Sequence, residues 1–185
     1  PVILDCKIGD ISTTMEPYAR AYLDLAGFDA ITVNPYMGSE CLAPVFDRAG
    51  KGVFLLSKTS NPGSGEIQNL ELANGQPLFA EIAEKVVEWN LTAAATLGLV
   101  VGATYPAELI KVRELAPELL ILVPGIGSQA GDLAAAVDAG IDTRGGGLLI
   151  NSARGITYAS SDDEFAQSAA RAARTLRDQI NAIRG

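Results

Sequence analysis

A parallel α/β fold follows from three features of this sequence: apolar runs of strand length, amphipathic segments between them, and Gly or Pro where one gives way to the next. The runs fall at residues 2–6, 30–33, 52–56, 97–101, 119–123 and 147–150. Each is continuously hydrophobic rather than alternating, as expected of parallel strands covered on both faces. No G-x-G-x-x-G follows the first run and no G-x-x-x-x-G-K occurs, so the phosphate fingerprints of open doubly wound sheets are missing. Polar residues stand instead at the carboxyl ends of several runs, which is how a barrel active site is distributed. The predicted architecture is a (β/α)8 TIM barrel, with about six βα units present in this chain. One domain is expected over residues 1–185. Because a closed barrel has eight units in about 250 residues, two units are expected to be missing, on the N-terminal side, where the sequence starts abruptly on a strand.

The helices can be justified in order. Thr13 and Glu16 have capping-box spacing, Tyr18, Ala19, Tyr22, Leu23 and Ala26 follow at helical intervals, and Gly27 stops the segment. Leu42, Val45, Phe46 and Ala49 repeat the pattern before Gly50. A longer helix is expected from about residue 77 to 95, with Phe79, Ile82, Val86 and Trp89 inward. Shorter ones follow Pro106 and Gly131. Ser161 with Glu164 is expected to cap the last helix, whose Phe165, Ala169, Ala172, Leu176 and Ile183 form an apolar stripe. Its arginines, Arg171, Arg174, Arg177 and Arg184, read as a solvated outer face.

Composition narrows the chemistry. A net charge of -8 argues against a nucleic-acid or anionic-membrane surface, since phosphate backbones are gripped by basic faces. No run of about 18 apolar residues is present to span a bilayer. Cys6 and Cys41 give no disulfide framework and suit reduced thiols in a cytoplasmic protein. Histidine is absent, which removes Ser-His-Asp and Cys-His catalysis and the usual zinc sites. Proton transfer falls to Lys, Asp, Glu, Tyr or Cys.

The run "LDCKIGDI" therefore stands out. On a strand, Asp5 and Lys7 share one face and Cys6 takes the other, with Asp10 just past the strand end. Alone, a D-x-K triplet reads most plainly as a structural ion pair. Its company changes that reading: "TSNPGS" follows the third run, "VPGIGSQAGD" the fifth and "NSARGI" the sixth. Two Gly-containing loops after the last strands, one carrying Arg154, match the place where many barrels bind phosphate through backbone N–H groups.

Taken in this order, "DCKIGDISTT", "TSNPG", "VPGIGSQAGD" and "NSARGI", with "VNPYMG" and "VVGATYP", resemble the orotidine 5'-monophosphate decarboxylase family, in the branch reading D-x-K-x-G-D-I. The resemblance covers nearly the whole chain. It implies decarboxylation of orotidine 5'-monophosphate to uridine 5'-monophosphate, the last step of de novo pyrimidine nucleotide synthesis, with no metal or organic cofactor. It makes Lys7 the general acid, sets Asp5 beside the substrate carboxylate, and sends Asp10 and Thr14, with Ile11 between them, across the interface of a homodimer. Ser60 would contact the pyrimidine, with Pro124 among the substrate-binding positions. Gln129 would bridge base and phosphate, and Arg154 would hold the phosphate with backbone groups around Gly127 and Gly155. The family's first two strands also supply a ribose-binding Asp and a second Lys, which this chain does not show.

Two other readings belong beside it. A sister barrel, the 3-keto-L-gulonate 6-phosphate decarboxylase type, shares the D-x-K-x-x-D strand but uses Mg2+, and needs an earlier carboxylate not visible here. A non-catalytic phosphate-binding fragment is the other.

Overall fold

The computed structural model describes residues 1–126 and 132–185. Six parallel strands form one sheet in the order β1 to β6: β1 (Ile3–Ile8), β2 (Ala30–Val33), β3 (Gly52–Lys58), β4 (Thr96–Val101), β5 (Leu120–Val123) and β6 (Leu148–Ile150). Each apolar run of the sequence is one of these strands. Strictly sequential order has no topological switch point, so the sheet is singly wound, as in a barrel, and not doubly wound. The chain folds as part of a (β/α)8 barrel.

Helices α1 (Ser12–Ala19), α2 (Ser39–Phe46), α4 (Leu78–Asn90), α5 (Pro106–Leu115) and α6 (Leu133–Gly140) lie between the strands, and α8 (Phe165–Arg184) follows the last. One-turn helices α3 (Gly65–Gln68) and α7 (Arg154–Thr157) sit in the loops after β3 and β6. Strand alternation divides the apolar residues cleanly. Ile31, Val33, Val53, Leu55, Leu97, Leu99, Ile121 and Val123 join buried residues of α1, α2, α4, α5 and α6 in one cluster. On the opposite face Ala30, Phe54 and Val100, flanked by Ile3, Leu56 and Leu122, form a second, smaller one. Helices thus cover one face, and the other is the interior of the curl.

Both expected capping boxes fail. α1 starts at Ser12 with Ile11 at the N-cap, so Thr13 lies inside the helix and no side chain caps it, and Glu16 lies 2.7 Å from Arg48 Nη2 on the chain after α2. At α8 no side chain caps either, and Asp162 accepts the Glu164 N–H at 2.9 Å. α4 ends at Asn90, short of residue 95, where the Asn90 Oδ1 accepts the Leu97 N–H at 3.0 Å and turns the chain into β4.

At the amino ends of β5 and β6 a buried Arg113 donates to the carbonyls of Gly140 (2.7 Å), Ala116 (3.0 Å), Pro117 (3.2 Å), Leu119 (2.8 Å) and Gly147 (2.9 Å). Burial pushes its pKa down, opposed by the charges of Asp142 and Glu118. Asp142 folds the neighbouring turn by accepting the N–H groups of Gly146 (2.8 Å) and Arg144 (2.9 Å), which hold its carboxyl below the usual aspartate range. A lowered folded pKa gives stability that is complete above the unfolded value of about 3.9 and lost as pH falls through the folded one. Asp142→Asn is therefore expected to flatten the acid limb of stability below about pH 5, measured by denaturant unfolding at several pH values.

Candidate active site

β1 does not run as a regular strand into its exit. Leu4 pairs with Ile31 and Ile8 with Val33, so Asp5, Cys6 and Lys7 together oppose Thr32 alone. This bulge puts Lys7 at φ 47, in the left-handed region, at a cost of about 1–2 kcal/mol for a residue with a side chain. Its N–H donates to Thr32 Oγ1 at 2.9 Å, and the Thr32 hydroxyl donates to Asp5 Oδ1 at 2.9 Å. The Lys7 Nζ lies 2.6 Å from both Asp5 oxygens. Asp5 and Lys7 do share a face, but through a bulge held from β2, and Cys6 packs against the helix-side core. Past the bulge, Gly9 passes so close to Asn34 that a Cβ there would lie 2.9 Å from its carbonyl oxygen, which accounts for the glycine in the motif.

Asp5 and Lys7 face a cavity of about 560 Å3 on the inner face of the curl, at the carboxyl ends of the strands. Ser60 and Asn61 line it from the loop after β3, Pro124 from the exit of β5, and Asn151 from that of β6, over an apolar floor including Val100 and Leu122. Four predicted positions thus converge: Asp5, Lys7, Ser60 and Pro124. Asp10, Ile11, Thr14, Arg154 and Gly155 do not line this cavity. Asp10 accepts the Ile11 N–H at 2.7 Å at the start of α1, and Ile11 is 50% exposed. Arg154 opens α7 as an exposed side chain with no hydrogen bond or ion pair to a described residue. Gly127 and Gln129 lie outside the described residues.

Lys58, at the end of β3, is a residue that sequence reasoning missed. It is fully buried, with Nζ donating to Ser64 Oγ at 2.9 Å and Asn69 Oδ1 at 3.0 Å, and sits 4.4 Å from the centre of the Tyr105 ring. No carboxylate pairs with it among the described residues, so two oxygens and a π face compensate the charge. The same cluster fixes the cavity loop. Tyr105 Oη donates to the Asn61 carbonyl at 3.2 Å, Thr104 Oγ1 to the Ser60 carbonyl at 3.2 Å, and Gln68 closes on Thr59 at 2.9 and 2.8 Å. Gly102 completes the fit, since a Cβ there would lie 2.7 Å from the Ser60 Cα. "TSNPG" and "VVGATYP" are thus two sides of one packed platform.

The family model described as "Orotidine 5'-phosphate decarboxylase / HUMPS family" matches residues 1–169. The chain belongs to this family. Among curated orotidine 5'-phosphate decarboxylases, that of Thermomicrobium roseum is 50% identical over 185 residues, covering 100% of this chain and 66% of its own length. That of Bordetella petrii is 49% identical, covering 100% and 68%. The chain therefore spans about two thirds of the length of these relatives. Solved members of the orotidine 5'-phosphate decarboxylase fold superpose closely. The Leishmania donovani OMP decarboxylase has a TM-score of 0.89 at 42% identity, covering 100% of this chain and 68% of that one. The Leishmania donovani UMP synthase has a TM-score of 0.90 at 43% identity, covering 100% and 39%. No helix among the described residues is long and apolar enough to cross a membrane.

Proposed function

We propose that the complete protein carrying this chain converts orotidine 5'-monophosphate to uridine 5'-monophosphate and carbon dioxide. The observation that carries this reading is the Lys7–Asp5 pair, 2.6 Å apart at the carboxyl-end cavity of a sheet whose relatives bear that name. When the bond from the pyrimidine carbon to the carboxylate breaks, the electron pair stays on the ring carbon and carbon dioxide leaves neutral. The Lys7 ammonium stabilises that developing carbanion and then gives it a proton, leaving an amine that is reprotonated from water. Asp5, clasping Lys7, stands where the substrate carboxylate would be crowded by like charge.

Ser60 contacts the pyrimidine, Pro124 borders it, and Gln129 joins base to phosphate. Arg154 holds the phosphate with backbone groups near Gly127 and Gly155; its exposed guanidinium, unpaired among the described residues, supports that role. This remote anion binding supplies energy that is used at the reacting carbon. Asp10 and Thr14, with Ile11, reach the cavity of a second copy in a homodimer, a reading supported by their position outside their own cavity. Two further βα units complete the barrel and bring the ribose-binding Asp and the second Lys. In support, β1 and β6 are the edges of the sheet, and Leu120 and Leu149 are still 38% and 36% exposed. The two free thiols suit the cytoplasm.

The test is turnover of orotidine 5'-monophosphate by the complete protein, with and without a chelator. Undiminished activity in chelator separates this reading from a Mg2+-dependent sugar-phosphate decarboxylase. A folded complete protein that releases no carbon dioxide from the nucleotide would sink it.

A further inference from the structure

We infer that Thr32 is a positioning residue for the reacting pair, setting both the backbone of Lys7 and the carboxylate of Asp5 through one hydroxyl; this rests on the proposed function. Thr32 is fully buried in the middle of β2, in the run "AITV", where a valine would satisfy packing equally well. Its hydroxyl both accepts and donates. The lone pairs take the Lys7 N–H at 2.9 Å, and the proton goes to Asp5 Oδ1 at 2.9 Å.

The geometry explains why a hydroxyl is needed there. Because three residues of β1 oppose Thr32 alone, the Lys7 N–H cannot bond to a β2 carbonyl in the ordinary parallel ladder. Without a side-chain acceptor, that donor would be left unpaired inside the sheet and the left-handed turn at Lys7 would lose its tie. The second bond turns the Asp5 carboxylate so that both of its oxygens meet Lys7 Nζ at 2.6 Å. One hydroxyl therefore fixes where the ammonium stem leaves the strand and which way its partner carboxylate faces. Neither function touches substrate, since Thr32 does not line the cavity.

The test compares Thr32→Val, which keeps shape and loses both bonds, with Thr32→Ser, which keeps the hydroxyl, on the complete protein. Thr32→Val is expected to lower kcat by about 10- to 100-fold, the effect of misplacing a reacting group by a fraction of an ångström to about 1 Å. KM should stay within about threefold, because binding is set by remote phosphate contacts. Thr32→Ser is expected to recover most of the lost kcat. A kcat for Thr32→Val within about twofold of the parent, or a Thr32→Ser variant as slow as Thr32→Val, overturns the inference. If Thr32→Val does not fold, Thr32→Ala, which also lacks the hydroxyl, takes its place in the comparison.

Lys7→Ala separates this inference from the reading beneath it. If Lys7→Ala is inactive and Thr32→Val is normal, only the positioning role fails. If Lys7→Ala turns over normally, the proposed role of Lys7 fails, and the crystal structure of Thr32→Val decides the positioning. Lys7 leaving the left-handed region there supports the inference, and an unchanged Lys7 and Asp5 overturn it.

Discussion

Replacing Lys7 with alanine is expected to lower kcat by about 10^4-fold or more, while the affinity for uridine 5'-monophosphate changes by less than about tenfold. Two effects are lost together. General acid catalysis is worth about 10^2 to 10^4 and a preorganised charge at the developing carbanion about 10^2 to 10^3. These 185 residues contain no histidine, so none of them offers an imidazole to take over the proton. Lys7→Arg refines the point. A guanidinium keeps the charge but does not give up a proton near neutral pH, and its planar fork does not fit the place of a compact ammonium. It should therefore remain at least about 10^2-fold below the parent. Steady-state kinetics and a product-binding titration read both variants. Stability should move by less than about 1 kcal/mol, because the Lys7–Asp5 pair is half exposed, with side chains 48% and 58% accessible. Parent-like turnover by Lys7→Ala would refute the proposed mechanism.

The strands were legible because each is built on a mainly apolar run, and "AITV" is a strand to the residue. The curl was legible from what stands at the strand ends. What could not be read depends on contacts across elements. The bulge in β1 exists because a threonine on β2 offers an acceptor, and "AITV" alone gives no reason to look at Thr32. Lys58 closes the apolar run "GVFLLSK" and looks like an ordinary strand exit. Its complete burial follows from Tyr105, which is 47 residues away in sequence (105 − 58). The capping boxes failed because the helices start at other residues, with Ile11 and Glu164 at the N-caps, and Glu16 pairs with Arg48, which local spacing cannot show.

Arg113→Met is expected to have the opposite signature to Lys7→Ala, destabilising the protein by about 4 kcal/mol with little change in kcat per folded molecule. Methionine approximates the aliphatic stem but removes the side-chain donor from the carbonyls of Gly140, Ala116, Pro117, Leu119 and Gly147, of which Ala116 and Gly147 keep a backbone donor, from the Leu119 and Ile121 N–H groups. Each buried acceptor left unsatisfied costs about 1–3 kcal/mol, reduced wherever water can enter. At about 2–4 °C per kcal/mol for a chain of this size, the midpoint of thermal unfolding should fall by about 10 °C. Arg113→Lys should rescue only part of this, since three donors on one nitrogen cannot span carbonyls arranged around a planar fork. The independence of activity follows from place. Arg113 ties the entries of β5 and β6, at Leu119 and Gly147, whereas Pro124 and Asn151 meet the cavity at the exits of the same strands. In a barrel the amino ends of the strands carry stability and the carboxyl ends carry chemistry. A loss of kcat in folded Arg113→Met as large as that in Lys7→Ala would show that the two ends are coupled through the strands.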